Sequence, residues 1–109
     1  MYAYEIPGLR FSLPAGAAVA RHRFVSVNAD SKGIMATADT PIVGVSMNET
    51  KIEEVLEVAD GIVIVEAGEA ITAGVAVASD ANGKAVAGAG PGVAITSTGA
   101  AGELVTVKL

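Results

Sequence analysis

The chain of 109 residues contains no cysteine and no tryptophan, a single histidine, and only 4% aromatic residues. Without cysteine there is no disulfide, no thiolate nucleophile and no cysteine-ligated zinc, which suits synthesis in a reducing compartment. His22 stands between Arg21 and Arg23. A lone His supplies neither a second metal ligand nor an orienting acid, so it reads as a surface or interface residue. Apolar runs such as Ile62–Val65 are of strand length, far below the ~20 residues that span a bilayer. The opening residues lack the basic and apolar regions of a secretory leader, so no membrane partner is expected. A basic patch interleaved with aromatics is also missing, and nucleic acid is not expected as a partner.

What remains is a chain that is 51% hydrophobic, built on Val, Ile and Ala, with the length of one domain. Small side chains bury little area each, at roughly 25 cal/mol per Å². Burial against further subunits would add to what a chain of this size can bury alone, so a homo-oligomer is expected. The net charge is −5, unevenly spread. Through Asn48, four cations (Arg10, Arg21, Arg23, Lys32) face Glu5, Asp30 and Asp39, for a net +1. From Glu49 onward the net is −6. A slightly basic half and an acidic half can meet head to tail between subunits.

An internal repeat organises the rest. Phe24–Thr50 aligns with Gly74–Ala100 without a gap, setting Val25 and Val27 on Val75 and Val77, Asp30 on Asp80, and Gly33 on Gly83. Ala15–Val19 matches Ala67–Ile71 upstream, with two extra residues near Arg21 and His22 in the first copy. Glu54–Val58 meets Glu103–Val107 downstream. Val25-Ser26-Val27 and Val75-Ala76-Val77 alternate with period two, the mark of strands. The turns Asp30-Ser31-Lys32-Gly33 and Asp80-Ala81-Asn82-Gly83 follow, and Asn-Gly predicts a type I′ hairpin with two positive-φ residues. Residues 52–59 are ambiguous. Ile52, Val55, Leu56 and Ala59 make a helical stripe, whereas the repeat makes this segment a strand, which is the reading adopted. The expected fold is all-β, a compact barrel or sandwich of two pseudo-twofold-related units of about 50 residues. The organisation is an N-terminal arm over 1–7, unit one over 8–58 and unit two over 59–109.

No active site emerges, and neither enzyme activity, nor a cofactor, nor a metal is expected. Asp80-Ala81-Asn82-Gly83 opens like a calcium loop but lacks the third ligand position and the closing Glu. Glu53, Glu54, Glu57 and Asp60 would serve as acid and base only if burial drove their pKa values apart. A charged sheet edge is the plainer reading. Gly83-Lys84-Ala85 faintly resembles the modified turn of lipoyl and biotinyl carrier domains, without their acidic or Met-Lys-Met setting. A carrier module or a carbohydrate-binding module is therefore the alternative reading. Tyr2, Tyr4 and Phe11 gather three of the four aromatic residues at the N-terminus, beside Arg10. Tyr and Arg are enriched at interface hot spots. These four are the candidate docking residues, carried on an arm that Pro7-Gly8 sets apart or on an ordinary edge strand.

Taken in order, the chain runs Ile6-Pro7-Gly8-Leu9, Phe11 and Ala15-Gly16, then Arg23-Phe24-Val25, then Pro41-Ile42-Val43-Gly44-Val45. It continues through Gly61–Val65, Val77-Ala78-Ser79-Asp80-Ala81-Asn82-Gly83-Lys84-Ala85 and Gly92–Ile95, and closes on Ala101–Leu109. This whole resembles the small head-decoration, or capsid cement, proteins of tailed bacteriophages, most clearly over Gly61–Leu109. The resemblance implies a non-catalytic virion protein, made in the bacterial host cytoplasm. It would bind the major capsid protein on the outer surface of an assembled shell, with a trimer favoured, and clamp neighbouring subunits. Many weak contacts repeated over a shell would then sum.

Overall fold

A computed structural model describes residues 3–109. It contains nine strands: β1 (Ile6–Pro14), β2 (Phe24–Val27), β3 (Gly33–Met35), β4 (Gly44–Ser46), β5 (Val55–Glu66), β6 (Ala76–Ser79), β7 (Ala85–Ala87), β8 (Gly92–Ala94) and β9 (Leu104–Lys108). No helix occurs among the described residues. The strands form one sheet in the order β3-β2-β4-β5-β9-β8-β6-β7, with β1 pairing β5 off that path. All ladders are antiparallel. The sheet curls into a half-barrel, and Ala15 bridges Gly33 while Ala67 bridges Ala85 in the parallel sense. The all-β expectation holds, as a single curled sheet and not as two stacked ones.

Of residues 52–59, residues 55–59 are strand, not helix, while 52–54 form a turn and not the strand expected there. Two members of the helical stripe, Ile52 and Val55, are exposed, while Leu56 and Val58 are fully buried. That is the period of a strand whose alternate residues enter a core. Partners on both flanks secure it, since Ala59 pairs with Arg10 of β1 and with Val45 of β4. β5 therefore closes one half of the fold with Val55–Ala59 and opens the other with Ile62–Glu66, which pairs β9. The seam expected between residues 58 and 59 falls inside this strand.

Strand pairings recur along the chain. Val25 faces Met35 and Val77 faces Ala87; Ala15–Gly33 and Ala67–Ala85 bridge alike. Each pair lies 52 residues after its counterpart. The gap-free alignment of Asp30 with Asp80 is thus two residues out of register. Asn28, not Asp30, matches Asp80: the Asn28 side-chain oxygen accepts from the N–H groups of Asp30 and Lys32, and Asp80 Oδ1 from those of Asn82 and Lys84. The length difference lies in the connection after β3, which runs over residues 36–43 against 88–91 after β7, and not near Arg21.

The turn type also differs from expectation. A type I′ turn needs positive φ at both central residues, but only Gly83 (φ 75°) has it in the second hairpin, and only Ser31 (φ 62°) in the first. Asn28 N–H donates to Lys32 O, and Asp80 N–H to Lys84 O. These are three-residue loops, a type I turn followed by one left-handed residue. The Asx side chain that caps the following N–H groups tips the balance.

Two apolar clusters form, and adjacent strand residues divide between them, Phe24 from Val25 and Ala59 from Val58, so they lie on opposite faces of the sheet. The smaller contains Ala15, Val19, Val25, Leu56 and Val58. The larger takes Val77, Val105 and Val107 from the second half together with Phe24, Ala36 and Val45 from the first. Because that cluster draws on both halves, neither half is expected to hold its core intact alone.

Candidate functional site

The candidate docking residues lie on β1 and on the segment leading into it. Tyr2 lies outside the described residues. Tyr4 is tied down by its main chain: its N–H donates to Thr106 Oγ1, and the Thr106 hydroxyl donates to Tyr4 O, each at 2.7 Å. Val105 and Val107 point into the core, so Thr106 between them points to the other face of β9. There the Tyr4 backbone closes over it, and Thr106 is fully buried. Ile6 then pairs with Ile62 and Pro7 with Gly61. From Tyr4 onward the arm is therefore laid against the chain's own sheet.

Past a bulge at Gly8 and Leu9, where Leu9 N–H donates to Asp60 Oδ1, β1 resumes pairing from Arg10 to Pro14. Gly8 through Ser12 are all exposed. Tyr4 and Phe11 are exposed along β1 and the segment leading into it, and so are two apolar residues that sequence reasoning passed over, Ile6 and Leu9, which are 63% and 65% exposed. The signal for those two was present in Ile6-Pro7-Gly8-Leu9: two large apolar residues flanking a Pro-Gly break. Arg10 does not offer a free charge. Its Nη2 lies 3.2 Å from Glu57 Oε2, with both side chains about half exposed, an arrangement worth about 0–1 kcal/mol.

The other candidates resolve into structural roles. Glu53 pairs with Lys32, Glu57 with Arg10, Glu54 accepts from Lys51 N–H and Asp60 from Leu9 N–H. The four carboxylates thus have separate partners and do not converge. Among the described residues no group of three or more His, Asp or Glu side chains gathers as a metal site would require. Lys84 follows its turn and holds Glu66 Oε2 at 3.0 Å; Lys32 follows the other turn at the matching position, 52 residues earlier. An open, uncharged cleft of about 340 Å³ lies between the connections after β3 and β7, lined by Thr37, Thr40, Ile42, Ser79 and Pro91 among others.

One charged cluster ties the halves together. Arg23 reaches Glu66 at 3.5 Å and donates to Asn82 O, while Lys84 holds Glu66 from the other side. The hydrogen bond from Lys84, supported by Arg23, keeps the Glu66 carboxyl below its usual range against partial burial. Burial first, then the Arg21 charge, lowers His22 below its ordinary 6.5, against an Ile64 main-chain hydrogen bond and the charges of Glu5 and Glu66. Both groups take up a proton less readily folded than unfolded, so both favour the native state at neutral pH and cease to do so in acid. Stability is expected to fall as pH drops below 6.5, when unfolding lets His22 charge, and again below 4.5 through Glu66. Urea midpoints from pH 7.5 to 3.5 read this. His22→Asn, which tolerates the φ of 63°, should flatten the first stage only. Equal slopes in both proteins would refute the assignment to His22.

A family model described as phage cement protein matches residues 6–109. Among solved structures, the N base of the head fiber gp8.5 in bacteriophage phi29 is similar, with a TM-score of 0.75 over 91% of this chain and 91% of that one. The two sequences are 22% identical, so the likeness is one of fold. No curated protein matches the chain.

Proposed function

The chain belongs to the phage cement protein family, a family of structural virion proteins, and on that premise we propose that it binds the outside of an assembled capsid and stabilises the shell. The observation that carries this reading is the set of exposed apolar side chains Ile6, Leu9 and Phe11 on β1, with Tyr4 just ahead of it. Large apolar side chains grouped on one exposed segment mark a site where another protein sits. The major capsid protein is the partner, and the protein self-associates, as its thin core and the charge difference between its halves favour, with a trimer the state that the family resemblance implies. It has no catalytic role.

Deleting Met1–Ile6 is a poor test, because it would strip the cover from Thr106 and the partner from Ile62. Side-chain truncation is cleaner. Purified protein and the double variant Tyr4→Ala/Leu9→Ala are sedimented with undecorated capsids, with circular dichroism confirming equal folding. Two anchoring side chains typically cost ~2 kcal/mol each when truncated, so capsid occupancy should fall well over tenfold. Unchanged occupancy would remove these side chains from the interface. No binding by the unaltered protein would remove capsid docking itself.

A further inference from the structure

The two halves of the sheet differ at one matching edge. Just past β5, Ala67 N–H donates to Glu103 O, and within it Gly61 O accepts from Leu109 N–H, so residues 61, 63 and 65 direct their main-chain groups toward β9. By the alternation of an antiparallel ladder, Ile62, Ile64 and Glu66 direct theirs the other way. That outer edge is occupied by the chain itself. Ile62 pairs with Ile6, Glu66 N–H donates to His22 O, and the His22 imidazole faces the Ile64 main chain.

Arg10, Ser12 and Pro14 stand 52 residues before these three. Ala15 N–H donates to Glu54 O and Glu53 N–H to Ala15 O, so Leu13 and Phe11 direct their main-chain groups toward β5. Glu57, opposite Ser12, agrees: its carbonyl accepts from Met47 and its N–H donates to Asn48, both away from β1. Arg10 and Ser12 therefore present N–H and C=O groups outward. Among the described residues nothing pairs with them. Elsewhere the sheet's end strands β3 and β7 are each met by a bridge, Ala15–Gly33 and Ala67–Ala85. The open edge is flanked by the exposed side chains of Leu9 and Phe11.

The geometry points to strand addition: the outer edge of β1 at Arg10–Ser12 receives an extended segment of the capsid protein. This rests on the capsid-docking reading above and specifies how docking occurs. The occupant is argued from the other half, where the matching edge is filled by extended chain, Ile6–Pro7. The described terminal residues of a second copy are already engaged. Tyr4 is held by Thr106 and Leu109 by Gly61, and its own β1 is bounded by Pro7 and Pro14, which shorten any β1–β1 ladder. Main-chain pairing supplies affinity in this mode, and alternate side chains supply specificity.

Ser12→Pro tests the idea, because a proline is tolerated where its missing N–H faces outward and is disruptive where a ladder bond is needed. The variant should keep its fold and lose capsid occupancy by about tenfold or more. Full occupancy by folded Ser12→Pro would overturn strand addition while leaving docking intact; failure of the unaltered protein to bind would instead defeat the docking reading. Hydrogen exchange on the unaltered protein gives a second measurement that needs no variant. Arg10 and Ser12 amides should exchange freely in the unbound protein and slow at least tenfold on capsids. No slowing on the capsid, or protection that rises with protein concentration in solution, which would make a second copy the occupant, contradicts the proposal.

Discussion

Phe24→Ala is expected to cost about 3–5 kcal/mol of stability, a large share of the roughly 5–15 kcal/mol that holds a domain of this kind together. Phe24 is fully buried and heads the largest buried side chains, most of the others being valines. Small neighbours have little side chain with which to refill a phenyl-sized hole, so the cavity term stays close to its full value. The residue also joins the halves: its N–H donates to Gly83 O, its carbonyl accepts from Ala36 N–H, and it pairs with Val45. In thermal unfolding the midpoint should drop by on the order of 20 °C. A loss under about 1 kcal/mol in chemical denaturation would show that the core closes around the gap and that Phe24 is not its anchor.

Gly61→Ala is the second large effect, and Gly74→Ala is its control. Both glycines have left-handed φ, 94° and 90°, where a Cβ costs about 1–2 kcal/mol. At Gly74 nothing lies within 4 Å of the added carbon, so only that conformational cost applies. At Gly61 the carbon would stand 2.6 Å from Gly8 N and 3.1 Å from Gly8 Cα. These are backbone atoms of β1, which cannot rotate away as a side-chain tip can. The Gly61 variant should therefore lose at least about 2 kcal/mol more than the Gly74 variant, with faster exchange in residues 6–9 as β1 lifts from β5. Equal losses would mean that β1 yields at no cost, and that the seam between Asp60–Gly61 and Gly8–Leu9 is not a tight contact.

Some of the proposed docking surface was legible in the sequence and some was not. Tyr4 and Phe11 stood out because aromatics are rare in this chain. Ile6 and Leu9 did not, because in an apolar-rich sequence only burial distinguishes an exposed isoleucine from a core one. Arg10 was legible as a cation near the aromatics, but its pairing with Glu57 is set by a contact across 47 residues. The arm followed the same pattern: Pro7-Gly8 suggested a break, whereas the fold holds Tyr4 through the hydroxyl of Thr106, 102 residues away.

By itself the sequence determined the class of the fold, the presence of the two hairpins, the strand character of residues 55–59, and the family. The class, the hairpins and the family rest on local alternation, turn chemistry and motif order, and the strand character of residues 55–59 on the internal repeat. Only the tertiary structure decided the repeat register. A shift by one residue would turn every side chain to the opposite face and betray itself in the hydrophobic pattern. A shift by two leaves inward and outward positions unchanged, so a spacing of 50 and one of 52 look alike until Asn28 and Asp80 are seen capping the same N–H groups. The tertiary structure alone likewise decided which strand edge stays open. Exposure of a main-chain N–H depends on what comes to lie beside it, and at Ile62 that neighbour is Ile6, brought there by the curl of the sheet.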